Sequence, residues 1–333
     1  MAQSYGPPPS PTSTPPRTPA DLEGAPGPGI RNPGVPFDAQ WIRRIHVNRN
    51  AVERRATSLQ GRRNLEKEWK AAWLLRAISL MDLTTLSGDD TPGTVKRLCA
   101  KARRPLRSDI EARLGVGALN IRPAAVCVYH AFVESACETL KGTGISVAAV
   151  STGFPHGLSP METRRQEIRA SVAVGAGEID AVITRAHVLT GSWEALYNEV
   201  RNFRDDCGEA HLKTILATGE LGSLVDVVRA SRVCMMAGAD FIKTSTGKER
   251  VNASLPAGLV MAREIRAFRE RTGYAVGFKP AGGIRAAKDA LVWMILMKEE
   301  LGDAWLEARL FRFGASSLLA DIVRQLEDHT TTR

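Results

Sequence analysis

The sequence predicts an α/β protein: a (β/α)8 TIM barrel preceded by an N-terminal helical extension and a disordered Pro-rich tail. Eight short β-rich runs follow one another along the chain, and amphipathic stretches lie between them. Strands that alternate with helices form parallel sheets. The alternating part covers about 250 residues, the usual size of a closed eight-stranded barrel, which favours this fold over a doubly wound open sheet.

Residues 1–36 form the predicted tail. They hold 11 of the 18 prolines of the chain, with Gly, Ser and Thr between them. Such a composition buries too little apolar surface to offset the entropy lost on ordering. We therefore predict that this segment is disordered.

Residues 37–68 form the predicted basic helical extension. Between residues 37 and 63, seven arginines stand against two acidic residues. The simplest interpretation of this charge is a solvated helix face. The apolar spacing predicts a helix with a break around residues 48–50, and it is set by Trp41, Ile45, Val52 and Leu59.

Composition excludes several classes of protein. The chain of 333 residues is 44% hydrophobic and 24% charged, as expected of a soluble globular protein. No apolar run approaches the roughly 20 residues that span a bilayer, and the N-terminus lacks the pattern of a secretory signal. The five cysteines include no C-x-x-C pair, and the six histidines show no metal-ligand spacing. We expect a cytoplasmic protein with no membrane partner, no disulfide framework and no metal.

The eight predicted strands define the barrel domain, residues 69–328. Helices are predicted at 160–174, 193–207 and 221–237. The strands are predicted at 78–83, 125–129, 145–151, 179–184, 212–217, 241–244, 275–278 and 310–313. Because catalytic groups of such barrels lie at the C-terminal ends of the strands, polar residues in these apolar runs are the candidates for a site.

Two lysines stand out in this way. Lys243 follows Phe241 and Ile242 in the sixth strand, and Lys279 comes directly after the seventh. A single strand lysine is most simply a structural ion pair. Two lysines on neighbouring strands, each followed by a glycine-bearing loop, instead depress the pKa of one amine and leave it neutral. We expect one of them to act as a Schiff-base nucleophile.

Acidic residues accompany the lysines. Asp180 and Asp82 face the barrel interior if their strands have the expected parity, and a carboxylate beside an amine can relay protons. The alternative is a plain salt bridge, and we expect a catalytic role for Asp180 and a supporting one for Asp82. Lys213 can extend the charged network or be structural, and Cys127 lines the barrel or is inert packing.

A phosphate site is predicted after strands seven and eight. Gly282 and Gly283 expose backbone N–H groups, and residues 313–317 precede a predicted helix. Glycine-rich turns and helix N-termini bind anions, and these two loops are the usual phosphate position in barrels.

Four runs of the sequence resemble signatures of the deoxyribose-phosphate aldolase family. They are MDLTTL at 81–86, FIKTSTGK at 241–248, GFKPAGG at 277–283 and FGASS at 313–317. The resemblance extends from about residue 69 to residue 326, and residues 37–68 resemble the N-terminal extension of the longer branch of that family.

The resemblance implies reversible class I aldol cleavage of 2-deoxy-D-ribose 5-phosphate to acetaldehyde and D-glyceraldehyde 3-phosphate, in deoxyribose phosphate catabolism and without a metal or cofactor. It implies that Lys243 forms the Schiff base, that Lys279 lowers its pKa and that Asp180 relays protons. Independently of the resemblance, we expect Cys127, Lys213 and Thr246 to be supporting residues. The implied phosphate site comprises Gly247, Lys248, Gly282, Gly283, Ser316 and Ser317.

The sequence departs from the family pattern at two points. Some members use a C-terminal tyrosine in proton transfer, whereas residues 328–333 contain none. Gly153 stands where some members carry asparagine. The first departure bears on the protonation step, and the second on loop shape.

Two alternatives remain open from the sequence. One is a class I aldolase with the same lysine chemistry and another phosphorylated sugar. The other is a basic scaffold that binds nucleic acid through its arginine-rich segment, since the net charge of +9 suits such a partner. The joint presence of both lysines, Asp180 and the phosphate loops argues against an inactive relic and hence against a nucleic-acid partner. The oligomeric state is open, a homo-oligomer included.

Overall fold

The computed structural model describes residues 31–61 and 67–331. Residues 1–30 of the predicted tail and residues 62–66 of the predicted extension lie outside the described residues. Among the described residues, no helix combines the length and the apolar character that a membrane crossing requires.

Eight parallel strands form the centre of the fold. Consecutive strands pair from the first to the seventh, and the first strand also pairs with the eighth. Isolated bridges, Phe278 with Phe311 and Ala281 with Gly314, join the seventh and eighth strands. The sheet therefore closes on itself, and the predicted (β/α)8 barrel is confirmed. The strands are β1 (Met81–Thr84), β2 (Ala125–Tyr129), β3 (Ser146–Ser151), β4 (Glu178–Val182), β5 (His211–Ile215), β6 (Phe241–Lys243), β7 (Gly277–Lys279) and β8 (Phe313–Ala315).

Helices surround the strands and begin at recognisable caps. Thr91, Ser223 and Ser254 each accept a hydrogen bond from the backbone N–H three residues on, which satisfies an otherwise unpaired donor. The described helices are α1 (Ala39–Arg43), α2 (Arg49–Gln60), α3 (Lys67–Ser79), α4 (Pro92–Arg103), α5 (Ser108–Leu114), α6 (Val133–Leu140), α7 (Met161–Ala173), α8 (Arg185–Leu189), α9 (Trp193–Asp206), α10 (Leu224–Met236), α11 (Leu255–Thr272), α12 (Ala287–Leu301) and α13 (Leu318–Thr331).

Strand boundaries differ from the predicted ones, most of all in β8. The prediction placed this strand at 310–313, whereas the ladder runs over Phe313–Ala315. Barrel strands are buried on both faces, so the apolar run shows where the chain is buried and not where the hydrogen bonds of the ladder begin. Phe311 is buried in the same way but forms only an isolated bridge.

The N-terminal end of the described chain packs against the barrel, which differs from the predicted tail boundary at residue 36. Asn32 is buried, and its side-chain amide donates to the carbonyl oxygens of Met235 and Ala239. Its backbone N–H donates to Asp240 at 3.0 Å. Because these bonds satisfy polar groups that would otherwise be buried unpaired, they order residues 31–36 despite the proline and glycine content.

The helical extension lies against the outer helices. Trp41 stacks on Phe268 with ring centroids 5.9 Å apart, and the guanidinium groups of Arg232 and Arg271 lie over the same indole. Arg232 also forms a two-bond ion pair with Glu264. The extension thus contributes to the packing of the barrel on the side of α10 and α11.

Candidate active site

A layer of charged side chains fills one level of the barrel interior. The strand register places Asp180 beside Lys213 and Lys243 beside Lys279. Side chains at alternate positions of a barrel strand point inward, and Asp180, Lys213 and Lys279 are fully buried. We call seven residues the buried charge layer: Asp82, Glu178, Asp180, Lys213, Lys243, Lys279 and Arg312.

Lys243 is the member of this layer that lines the neighbouring cavity. Its Nζ donates to Asp180 Oδ2 at 2.7 Å, and its side chain is 3% exposed. Burial lowers the pKa of Lys243, and the positive charge of Lys279 lowers it further, against the opposing effect of Asp180. An amine with a lowered pKa is neutral more often near pH 7 and can act as a nucleophile.

Lys279, in contrast, is held in its protonated form. Its Nζ donates to Asp180 Oδ2 at 2.7 Å and to Asp82 Oδ2. Although burial opposes it, the attraction of Asp180 and Asp82 raises the pKa of Lys279. Both predicted lysines therefore bond the same carboxylate oxygen, but the pKa of Lys243 is lowered and that of Lys279 is raised.

Asp180 links the lysines. Oδ2 accepts from Lys243 and Lys279, and Oδ1 accepts from Lys213 at 2.9 Å. Despite its burial, the three ammonium groups hold the pKa of Asp180 well below the ordinary range, and Lys213, Lys279 and Arg312 do the same for Asp82. Asp82 lies one contact away from Lys243, through Lys279.

Two members of the layer were missed by sequence reasoning. Glu178 bonds Lys213 and Arg312, and Arg312 Nη1 donates to Asp82 Oδ1 at 2.6 Å. Signals for both exist in the sequence. Glu178 precedes Asp180 by two positions, which places both on one strand face, and Arg312 lies between two buried phenylalanines. Lys213 contacts three carboxylates, so it extends the charged network, which is one of the two roles left open for it by the sequence.

Cys127 lies in the same interior but outside the charged contacts. It packs in a small buried cluster with Leu86, Ala148 and Val150. Burial raises the pKa of the Cys127 thiol, so the uncharged form is favoured. The group is consistent with packing beside the site.

A cavity of about 280 Å³ opens above Lys243. Of the predicted phosphate residues, Gly247, Lys248, Gly282, Gly283 and Ser316 line it, together with Thr246. Ser317 is exposed and does not line the cavity. Sequence reasoning missed several lining residues, of which Thr85 stands in the quoted 81–86 run and Arg285 follows Gly283 by two positions. The full set also includes Thr84, Leu86, Ser87, Ala281, Ile284, Gly314 and Ala315.

The glycines of this cavity are required by backbone geometry. Gly282 and Gly283 have φ values of 81° and 85°, a region that side chains rarely adopt. A Cβ on Gly282 would also lie 2.7 Å from Asn252. The chain can therefore expose successive backbone N–H groups here, which suits an anion.

The loop after β6 is held by one of its own carboxylates. The backbone N–H groups of Thr246 and Gly247 donate to Glu249, at 2.9 and 3.1 Å respectively. Lys248 N–H donates to Thr246 Oγ1, and Asn252 donates to the Glu249 carbonyl. Glu249 does not line the cavity, whereas Lys248 does. The bonds thus fix the loop that presents Lys248.

The site offers amines, carboxylates and an anion cradle. Within residues 31–61 and 67–331, no group of three or more His, Cys, Asp and Glu side chains is arranged to hold a metal ion. The arrangement can form an imine at Lys243, move protons through Asp180 and bind a phosphate at the adjoining loops.

Comparison with known proteins gives a consistent result. The family model described as DeoC/LacD family aldolase matches residues 76–323. The chain is 58% identical over 304 residues to a deoxyribose-phosphate aldolase of Homo sapiens, covering 91% of this chain and 96% of that one. It is 59% identical over 302 residues to the Mus musculus protein of the same name, covering 90% and 95%.

Solved structures share the fold at lower identity. The tetrameric deoxyribose phosphate aldolase of Aeropyrum pernix matches with a TM-score of 0.55 and 21% identity, covering 86% of this chain and all of that one. A structure described as QR15, an aldolase, matches with a TM-score of 0.60 and 23% identity, covering 77% and 99%.

Proposed function

The chain belongs to the DeoC/LacD family of aldolases, and on this premise we propose that Lys243 is the Schiff-base lysine of its reaction. The reaction is the reversible cleavage of 2-deoxy-D-ribose 5-phosphate to acetaldehyde and D-glyceraldehyde 3-phosphate. The enzyme is a carbon–carbon lyase of deoxyribose phosphate catabolism. The observation that carries the assignment of Lys243 is its bond to the carboxylate oxygen that Lys279 shares, at the floor of the cavity.

The steps follow from amine chemistry. Neutral Lys243 attacks the C1 aldehyde of the open-chain sugar, and the carbinolamine loses water to give a protonated imine. Removal of the C3 hydroxyl proton breaks the C2–C3 bond. The electron pair moves into the imine, which leaves an enamine and releases D-glyceraldehyde 3-phosphate. Protonation at C2 and hydrolysis then release acetaldehyde and restore the amine.

Asp180 and Lys279 serve the proton transfers in this scheme. Asp180 contacts Lys243 directly, which suits it to accept and return the protons of carbinolamine formation and dehydration. Lys279 keeps its positive charge beside Lys243 and so favours the neutral form of that amine. Asp82 supports Lys279 through their ion pair.

The substrate phosphate is assigned to the loops after β6, β7 and β8. Lys248 and Arg285 supply positive charge, and Gly282, Gly283 and Ser316 supply hydrogen-bond donors in the same cavity. Gly247 shapes the turn before Lys248 with a φ of 89°. The side chain of Ser317 is left out of this assignment because it does not line the cavity.

We also infer a cytoplasmic location and a homo-oligomeric state. All five cysteines are free thiols, which suits the reducing cytoplasm. The tetramer described for the Aeropyrum pernix aldolase supports a homo-oligomer here. A phosphorylated sugar accounts for the positive cavity, so nucleic acid is not needed as a partner.

Borohydride trapping with acetaldehyde tests the central assignment. We expect an ethyl group on Lys243 of the wild-type protein, found by intact mass and peptide mapping, and none on Lys243→Leu. Lys279→Leu should form the adduct more slowly near pH 7, because the loss of the neighbouring charge raises the pKa of Lys243.

The controls separate chemistry from folding. Each variant is checked by circular dichroism and thermal unfolding before trapping. A folded wild-type protein that gains no adduct would overturn the imine mechanism. An adduct that maps to Lys279 or Lys213 instead would overturn the assignment of Lys243.

A further inference from the structure

The contacts within the buried charge layer are unevenly distributed. Arg312 and Lys279 each bond two carboxylates, and Lys213 bonds three. Lys243 bonds only Asp180, whose two oxygens already accept from Lys213 and Lys279. Among the four cations of the layer, Lys243 therefore has the fewest carboxylate partners.

The charges of the layer balance without Lys243. The three carboxylates of Asp82, Glu178 and Asp180 match the three cations of Lys213, Lys279 and Arg312. A protonated Lys243 would leave one uncompensated positive charge in a region where every member is at most 7% exposed. An uncompensated buried charge is costly, so the layer favours loss of the proton from Lys243.

Other elements around Lys243 add no buried charge to this balance, since Lys248 and Arg285, which line the cavity above it, are exposed to solvent. Cys127 on β2 is uncharged because burial raises its pKa, and the inward residues Ala148 and Val150 of β3 are apolar. Phe241 on β6 is uncharged as well. Lys213 Nζ and Arg312 Cζ lie over its ring, 6.0 and 5.7 Å from the ring centroid.

We propose that Glu178, Lys213 and Arg312 are positioning residues that keep Lys243 neutral by fixing the net charge of the layer. This goes beyond the effect of Lys279 alone, because none of the three contacts Lys243. The inference rests on the proposed function only for the catalytic importance of a neutral Lys243. The protonation of Lys243 itself is measurable without substrate.

Two isosteric variants give opposite expectations. Lys213→Met leaves three carboxylates against two other cations, so Lys243 gains a counter-charge and its pKa rises. Glu178→Gln leaves two carboxylates against three cations, so the pKa of Lys243 falls. In the double variant Lys213→Met/Glu178→Gln the charges balance again, and the pKa returns close to the wild-type value. Neighbouring charges shift a pKa by about 1–3 units, which sets the expected size.

The measurement is competitive acetylation of Lys243 by trace acetic anhydride across pH, with peptide mapping, because only the neutral amine reacts. The acidic limb of kcat/KM is followed in parallel and should move in the same directions. Glu264→Gln is the matched control, since Glu264 is a buried carboxylate paired with Arg232 in the helix layer and should leave the Lys243 pKa unchanged.

The outcomes are distinct. Opposite shifts that cancel in the folded double variant support the proposal, whereas shifts in one direction, or none, overturn it. If Lys213→Met does not fold, Glu178→Gln decides alone: a downward shift supports the proposal, and an unchanged or raised pKa overturns it. Failure of the aldolase assignment would appear separately, as absence of the acetaldehyde adduct in wild type.

Discussion

Asp180 is both the counter-charge of three lysines and the proposed proton relay. It contacts Lys243, Lys279 and Lys213 and is fully buried. An asparagine keeps the shape and a hydrogen-bond acceptor but cannot take a proton. The effect of this single change therefore separates a proton relay from an ion pair that only orders the lysines.

We expect Asp180→Asn to lower kcat by about 10²–10⁴-fold, the usual contribution of a general acid–base group. Stopped-flow assays of 2-deoxy-D-ribose 5-phosphate cleavage would measure it. Asp82→Asn is the matched control, because it removes the same charge from the layer one contact further from Lys243. Equal losses in the two variants would contradict a relay role for Asp180.

Residues of this site could be predicted where polarity interrupts an apolar strand. Lys243, Lys279 and Asp180 were found in that way, and the structure joins them within 2.7 Å. Arg312 was missed although it interrupts the predicted strand at 310–313, and in the structure it precedes the ladder of β8. Its partners come from β1 and β4, and contacts of that kind follow from barrel closure and not from local sequence.

At the scale of elements, the loop after β6 is held by hydrogen bonds among its own residues. Its bonds run from Thr246 and Gly247 to Glu249, and from Asn252 back to the Glu249 carbonyl. Because Glu249 lies outside the cavity while Lys248 lines it, the carboxylate acts on the phosphate site through the loop. The FIKTSTGK run indicated the loop, but the role of the residue after it is visible only in three dimensions.

We expect Glu249→Ala to raise the KM for 2-deoxy-D-ribose 5-phosphate by about tenfold, the effect of roughly one lost hydrogen bond, with kcat little changed. Glu249→Gln should retain most of the affinity, since its amide oxygen can accept the same N–H groups. Steady-state kinetics with phosphorylated and unphosphorylated deoxyribose would measure both.

The unphosphorylated sugar should be cleaved equally by wild type and Glu249→Ala, because it does not use the phosphate loop. Asp38→Ala serves as control: Asp38 also accepts a backbone N–H, from Trp41, but in the extension. A loss of kcat on both substrates in Glu249→Ala would show that the loop supports the catalytic lysine and not the phosphate.

Element boundaries were less predictable than element types. The alternation of β-rich runs and amphipathic stretches indicated all eight strands, because each must be apolar to lie between interior and helices. The ladders of β6, β7 and β8 are only three residues long. Such short ladders are set by the curvature of the closed sheet, which no single segment encodes.

At the scale of the whole molecule, barrel closure couples the site to stability. The seventh and eighth strands meet through isolated bridges, and Arg312, which directly precedes β8, bonds Asp82 of β1 and Glu178 of β4. The same ion pairs that tune Lys243 therefore also join the last strand to the first and the fourth. Removing one partner of such a buried ion pair is strongly destabilising, because the remaining charge is left uncompensated.

Acid should break these pairs. Although burial opposes it, the attraction of Arg312 and Lys213 lowers the pKa of Glu178 from 4.5 to about 2, and the pKa of Asp82 and of Asp180 is lowered as well. Carboxylates with a lowered pKa bind fewer protons in the folded than in the unfolded state. Their stabilisation is therefore complete above the unfolded pKa and is lost as pH falls through the folded one.

We expect the free energy of unfolding to fall as pH drops from about 4.5 towards 2, by about 1.4 kcal/mol per pH unit for each such carboxylate. Calorimetric or circular-dichroism melts across this range would measure it. The charge-balanced variant Lys213→Met/Glu178→Gln has one titrating carboxylate fewer and should lose stability with a shallower slope. Wild-type and double-variant slopes that coincide would show that Glu178 titrates alike in the folded and unfolded chains, and hence that its ion pairs contribute no stability to the barrel.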